Sequence, residues 1–214
     1  MAKPKPDSEL KPRPQAHGRD PKSTRPVIKP ATAHLGEVRL IGGLFRGRKL
    51  PVADRPGLRP TPDRVRETLF NWLGQSLEGW RVLDAFAGSG ALGFEAASRG
   101  AAEALLLELD TALVASLRAS RERLGAEALK VERTEALRWM SGCAPQRFEA
   151  VLLDPPFDAG LGAAAVAAAA RLVVPGGYVY LEGPAPLNDV PAGLVLHRSL
   201  RAGAVHAQLW RAPL

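Results

Sequence analysis

The sequence predicts an α/β protein: a doubly wound, mostly parallel sheet with helices on both faces, seven strands wide and closed by an antiparallel C-terminal hairpin. Three observations predict it. From Gly79 onward, short apolar runs alternate with segments of helical period. The stretch Val82-Leu83-Asp84-Ala85-Phe86-Ala87-Gly88-Ser89-Gly90-Ala91-Leu92-Gly93 reads as a strand ending in an acid, a turn of small residues and a helix start. A parallel sheet presents backbone N–H groups to a nucleotide-like ligand in this way. Finally, the extended runs 195–200 and 205–210 are separated only by Arg201-Ala202-Gly203-Ala204. A parallel crossover needs a dozen residues or more, so these two must pair antiparallel.

Taken in order, the parallel part places strands at 81–84, 104–109, 129–132, 149–153 and 178–182. Helices are expected at 90–98, at 111–124 with Leu113, Leu117 and Leu124 on one side, at 135–140, and over the alanine-rich run near 162–172. Pro175-Gly176-Gly177 is a turn signal. Upstream, 38–41 and 49–52 are short extended runs, and Gly42, Gly43 and Gly47 between them suit a hairpin. A helix follows from Thr61-Pro62, a cap and a first-turn proline, with Val65, Leu69, Trp72 and Leu73 on one face.

Charge divides the chain. It has 214 residues, 46% of them hydrophobic, and a net charge of +7. Residues 1–34 and 35–66 each carry +5, and the remainder is −3. A basic front on a slightly acidic body suits a polyanionic partner. Residues 1–34 hold seven prolines among lysines and arginines, so they are expected to form a disordered basic arm. Residues 35–60 then form a hairpin extension and 61–214 the main domain. A single cysteine, Cys143, excludes an internal disulfide and suits a reducing compartment. The run 163–170 is too short for a membrane span. A cytoplasmic protein with no membrane or metal partner is expected.

The chemistry lies at strand ends. Gly88, Gly90 and Gly93 would let a ligand approach the backbone, and Glu108, 20 residues beyond Gly88, could accept hydrogen bonds from two ribose hydroxyls. This pattern alone serves a dehydrogenase equally well. Asp84 tips the balance. A carboxylate at that strand end would repel a pyrophosphate but attract a sulfonium ligand bearing an ammonium group, which points to S-adenosylmethionine. Asp154-Pro155-Pro156-Phe157 follows the fourth strand. Exocyclic amines of bases are poor nucleophiles because the nitrogen lone pair is delocalised into the ring. Asp154 and the carbonyl of Pro155 can each accept one N–H, drawing the nitrogen towards tetrahedral geometry, while Pro156 stiffens the turn and Phe157 offers a stacking face. The target base would be unpaired or flipped. Arg46, Arg48 and Lys49 around Phe45 suit phosphates and bases, a decorated hairpin with a half-buried Phe45 being the alternative, and Arg59, Arg64 and Arg66 crowd the start of the first helix.

From Gly36 to Trp210 the chain resembles the RsmD-type family, which methylates a guanine N2 amine in small-subunit (16S) ribosomal RNA. The residues carrying the likeness are Arg39-Leu40-Ile41-Gly42-Gly43, Arg46-Gly47-Arg48-Lys49-Leu50-Pro51, and the block from Gly57-Leu58-Arg59-Pro60-Thr61-Pro62 through Asp63-Arg64-Val65-Arg66-Glu67-Thr68-Leu69-Phe70-Asn71-Trp72-Leu73. Phe86-Ala87-Gly88-Ser89-Gly90-Ala91-Leu92-Gly93 and Asp154-Pro155-Pro156-Phe157 complete it. The last motif is common to many amino methyltransferases; the arginine-rich block is far more specific. The resemblance implies a class I (Rossmann-like) methyltransferase fold. It places Asp84, Phe86, Ala87, Gly88, Ser89 and Gly90 around the methionine moiety and Glu108 on the ribose. Thr61, Leu109, Glu135, Ala136 and Asp154 complete the cofactor set, with Glu135-Ala136 standing where the family has Asp or Asn before Ala. It also implies a monomer acting on 16S ribosomal RNA within an assembling subunit.

Three other readings compete. An adenine-N6 methyltransferase shares Asp154-Pro155-Pro156-Phe157 but not the N-terminal block. A nicotinamide-dependent oxidoreductase explains the glycine turn but neither Asp84 nor the terminal hairpin. A non-catalytic RNA-binding assembly factor would use the cations alone.

Overall fold

The structure is a computed structural model, and it describes residues 1–2, 34–53, 63–190 and 193–214. Residues 3–33 of the expected basic arm and 54–62 on the approach to the first helix, including Arg59 and Thr61, lie outside the described residues, and His34, expected as the arm's last residue, opens the first strand. The elements below belong to one compact unit, Thr32–Leu214.

Strands β1 (His34–Arg39) and β2 (Lys49–Ala53) form the expected antiparallel hairpin, with Val38 opposite Leu50. Helix α1 (Asp63–Leu73) buries Val65, Leu69, Phe70 and Leu73. Then come β3 (Arg81–Asp84), α2 (Ala91–Ser98), β4 (Glu103–Glu108), α3 (Thr111–Leu124), β5 (Leu129–Arg133), α4 (Ala136–Gly142), β6 (Phe148–Leu153), a 3-10 turn (Phe157–Ala159), α5 (Gly162–Ala170) and β7 (Val173–Gly183). Strands β8 (Val195–Ala202) and β9 (Val205–Arg211) close the chain. The sheet order is β5-β4-β3-β6-β7-β9-β8, with β3 to β7 parallel and β9 antiparallel to both β7 and β8.

Side-chain alternation along the parallel strands splits the core in two. Leu83, Leu105, Val151, Leu153 and Leu181 face α4 and α5. Val82, Leu152 and Tyr180 face α1 and α2, and Ala104 and Leu106 continue that side towards α3. Helix α2 is buried almost all round, because the β1–β2 hairpin covers its outer side through Leu40, Phe45 and Leu50. An amphipathic helix would leave that side to water; here it belongs to the core.

One strand differs from expectation. Instead of starting at residue 178, β7 starts at Val173, and Pro175-Gly176-Gly177 interrupts its register. Phe148 pairs with Val173 but Ala150 pairs with Tyr178, so the glycines bulge out of the ladder. Gly176 has φ +76°, a left-handed conformation that favours glycine. Among the described residues, no helix is long and apolar enough to cross a membrane.

Candidate active site

The carboxyl ends of β3, β4 and β6 carry Asp84, Glu108 and Asp154, and the cofactor turn lies between the first two. Asp84 is buried, and its Oδ2 accepts the main-chain N–H of Gly93 at 2.9 Å. Its Oδ1 is buried without a hydrogen-bond partner. Burial pushes the Asp84 carboxyl up to about 7; the Gly93 N–H and, least, the main-chain N–H of Phe86 oppose that rise, and the neighbouring Asp154 and Glu108 carboxylates add to it. An orphaned buried oxygen in a negative field suits a cationic ligand group, so the site fits the ammonium of S-adenosylmethionine.

The glycines have distinct reasons. A Cβ on Gly93 would stand 2.4 Å from Leu106 Cδ1 and 3.1 Å from Asp84 Oδ2, so a side chain there would displace the carboxylate's support. Gly90 caps α2 with φ +82°, and its Cβ would meet Leu117 Cδ2 at 2.5 Å. Glu108 ties the two turns together. One oxygen accepts the Gly88 N–H at 2.9 Å and the other accepts those of Leu109 and Asp110 at 2.7 and 2.9 Å. A carboxylate offers about four lone-pair directions, which leaves room for a ribose hydroxyl. Phe86, Gly88 and Ser89 are half-buried and Ala87 is buried. Leu109 stands 59% exposed beside them, an apolar side chain open to a ring.

Glu135 ends β5's side of the site. It is exposed and caps α4, accepting the N–H groups of Leu137 and Arg138 at 2.9 and 2.7 Å, while Ala136 is buried. Cap duty thus occupies one lone pair on each oxygen and leaves capacity towards an adenine amine.

Asp154 follows β6, half-buried, with Pro155 buried and Pro156 exposed. Phe157 opens the 3-10 turn and is 38% exposed, unusual for so large an apolar ring. Strand β7 carries a buried pair that nothing in the sequence marks: the Tyr180 hydroxyl donates to Glu182 Oε1 at 2.9 Å. Burial raises the Tyr180 hydroxyl well above its ordinary range, and Glu182 and Asp154 add to the effect. Register puts Glu182 on β7 level with Asp154, since Leu153 pairs with Leu181.

The candidate RNA-contact residues separate. Arg46, Arg48, Lys49 and Arg64 are exposed, with Lys49 paired to Glu37. Arg66 corrects the expectation. It is fully buried, donating to Asp63 at 2.6 Å and to the Arg39 carbonyl at 2.9 Å, with Glu95 3.9 Å away. It therefore braces the framework and cannot meet a phosphate. Phe45 is likewise buried, against Phe94 and Leu117, and offers no face to a base. The spacing Arg66, Leu69, Phe70 and Leu73 (i, i+3, i+4, i+7) places the arginine on the apolar face, a signal in the sequence that its charge obscured. Glu95, an acid inside an otherwise apolar helix, is a second residue missed for the same reason.

A parallel sheet with reversed final strand, a glycine turn after the first strand and a carboxylate orphaned beside it together define a class I methyltransferase. The family described as "Conserved hypothetical protein 95" matches residues 38–211. Ribosomal RNA small subunit methyltransferase D of Escherichia coli (strain K12) is 42% identical over 191 residues, covering 86% of this chain and 94% of that protein. Its namesake from Haemophilus influenzae is 47% identical over 134 residues, covering 61% of this chain and 69% of that one. A solved Escherichia coli structure matches with a TM-score of 0.74 at 41% identity, covering 83% of this chain and 99% of that one. The chain belongs to the RsmD-type family of ribosomal RNA small subunit methyltransferases.

Proposed function

We propose that the protein methylates the exocyclic N2 amine of a guanine in small-subunit (16S) ribosomal RNA. The observation that carries this reading is the pairing of neighbouring strand ends. Asp84, with an orphaned oxygen for a cationic ligand, stands on β3, and Asp154-Pro155-Pro156-Phe157 stands on the adjacent β6. Membership of the RsmD-type family and the arginine-rich block from Arg39 to Leu73 favour ribosomal RNA over DNA.

S-adenosylmethionine is the methyl donor and supplies an electrophilic methyl group on a positively charged sulfur. The chain's own residues bind and aim. Asp84 Oδ1 takes the ligand's ammonium group, the Phe86 to Gly90 turn follows its methionine moiety, and Glu108 takes one ribose hydroxyl. Leu109, Glu135 and Ala136 border the adenine. Asp154 and the Pro155 carbonyl each accept one N–H of the guanine amine, which concentrates the lone pair on nitrogen and fixes its direction. The two prolines hold that carbonyl rigidly. Phe157 stacks on the base, its exposure ready for a flipped nucleotide. Transfer would exchange the sulfur–methyl bond for a nitrogen–methyl bond, the neutral thioether S-adenosylhomocysteine would be the leaving product, and the positive charge would pass to the nitrogen. Asp154 stabilises that charge, and loss of one N–H proton restores a neutral amine, so no strong base is needed.

Arg46, Arg48, Lys49 and Arg64 hold the RNA backbone, in the cytoplasm and within an assembling subunit, with the protein acting as a monomer. Radiolabelled methyl transfer to unmodified small subunits and to naked RNA, followed by mass mapping of nucleosides, tests the reading. N2-methylguanosine, formed preferentially on the particle, is the expected product; N6-methyladenosine overturns it.

A further inference from the structure

Glu95 is fully buried in the middle of the core, and it is spent on the hairpin. Its Oε2 accepts the main-chain N–H of Ile41 at 2.8 Å and its Oε1 accepts that of Gly42 at 2.8 Å. Arg99 donates to the same Oε1 at 2.9 Å, and Arg66 of α1 comes within 3.9 Å. One turn further along α2, Ser98 takes the next residues: Phe45 N–H donates to Ser98 Oγ at 2.8 Å and Leu44 N–H to the Ser98 carbonyl at 2.7 Å. Gly43 lets the chains close up, since at φ +71° a Cβ would stand 1.7 Å from the Ser98 carbonyl oxygen. On the other side, Arg123 of α3 donates to the Lys49 carbonyl at 2.7 Å.

Apolar cover alone would hide the outer side of α2. A carboxylate receiving two successive main-chain N–H groups does more, because charge-assisted bonds of this kind also fix angle and register. The exposed cations Arg46 and Arg48 lie in the same loop. The amino end of α2 is the cofactor turn, and its eight residues separate the two ends by about 12 Å at a rise of ~1.5 Å per residue.

We infer that Glu95 is a positioning residue: with Ser98 it docks the hairpin along the second half of α2, so that the RNA gripped there is held at a set distance from the methyl-donor turn at the helix's amino end, which selects the nucleotide that reaches Asp154. This rests on the reading of the hairpin as an RNA surface.

The test uses the full-length chain with unmodified small subunits. Glu95→Gln keeps the side-chain shape and removes the charge; Gly43→Ala keeps every charge and forces the hairpin off Ser98. Both are expected to bind S-adenosylmethionine within about twofold of the parent, to keep kcat within about threefold, and to raise KM for the subunit by about tenfold or more. Both are also expected to spread methyl groups onto neighbouring guanines when the product is mapped. Amide hydrogen exchange at Ile41 and Gly42 should quicken in both variants. Parental KM with a single methylated guanine in a folded variant overturns the inference, as does loss of cofactor affinity in step with KM. Gly43→Ala decides the matter if Glu95→Gln fails to fold, and Glu95→Gln does so in the converse case. If neither folds, Glu95 is part of the folding core rather than a positioning residue. The double variant Arg46→Ala/Arg48→Ala separates the two ideas. If it leaves KM unchanged, the RNA reading of the hairpin fails; if it raises KM while the docking variants do not, only the positioning role fails.

Discussion

The main-chain N–H of Gly93 supports one oxygen of Asp84 at 2.9 Å and leaves the other buried and unpartnered. A carboxylate in that state holds its proton to about pH 7. A cationic ligand group binds the ionised form, so affinity for S-adenosylmethionine should rise with pH and level off above about 7. Each unit below that costs up to about tenfold. Calorimetry across pH 5.5–8.5 (chosen to bracket about 7) reads the slope directly, and Asp84→Asn should bind weakly with the slope gone.

The same carboxyl sets a stability trend. Its folded-state pKa is raised, so the folded protein binds the proton more tightly than the unfolded chain. Stability from this group is complete below about pH 4 and is lost as pH rises to about 7, a change on the order of 4 kcal/mol. Saturating S-adenosylmethionine should flatten the trend in thermal melts, because the ligand stabilises the charged form.

Asp154→Asn should lower methyl transfer by on the order of 100-fold or more, since the amide cannot offer a full charge to the amine. Binding of the subunit and its salt dependence should stay close to those of the parent. Filter binding alongside radiolabel incorporation gives both numbers; an equal fall in the two would point away from a role in chemistry.

Phe157 stands 38% exposed in the turn after Pro156. Truncating a stacking ring costs about 1–3 kcal/mol per base. Phe157→Ala should therefore raise KM for the subunit by about tenfold or more while leaving cofactor affinity intact, which steady-state kinetics with each substrate varied in turn will resolve.

Arg46 and Arg66 should behave oppositely although both are arginines of the N-terminal block. Removing exposed Arg46 or Arg48 should reduce the slope of log affinity against log salt by about 0.7–0.9 per lost phosphate contact. Arg66→Ala empties a fully buried side-chain site and removes the hydrogen bonds to Asp63 and the Arg39 carbonyl, which lowers stability. Its signature is a lower melting temperature, with the salt slope unchanged in whatever fraction stays folded.

Most of the fold was legible because parallel strands buried on both faces write themselves as continuous apolar runs. The stretches ending in Asp84, Glu108 and Leu153 are of that kind. The strand-end placement of Gly88-Ser89-Gly90 and Asp154-Pro155-Pro156-Phe157 was legible because apolar runs followed by turn residues mark it locally; their roles belong to the proposal. What stayed hidden depends on partners remote in sequence. Arg66 reads as a surface cation until the Arg39 carbonyl and Glu95 are placed around it. Phe45 reads as an aromatic among cations until Phe94 and Leu117 close over it. The β7 bulge was partly visible: Pro175-Gly176-Gly177 signalled a break, but only pairing with β6 shows that the strand resumes from Val173 rather than beginning after it.

The bonds that seat the hairpin on α2 join residues 53 to 56 positions apart in the chain. Residues 34–53 are synthesised before their docking surface on α2 and α3. Until α2 and α3 emerge, Val38, Leu40, Phe45 and Leu50 have no core to enter, and a lone two-stranded hairpin is only marginally stable in water. Contacts of such long range form late and slowly. Of the described elements, the hairpin is made first and yet waits for later ones to find its place, and a nascent chain halted before residue 98 presents these apolar side chains to whatever holdase is at hand.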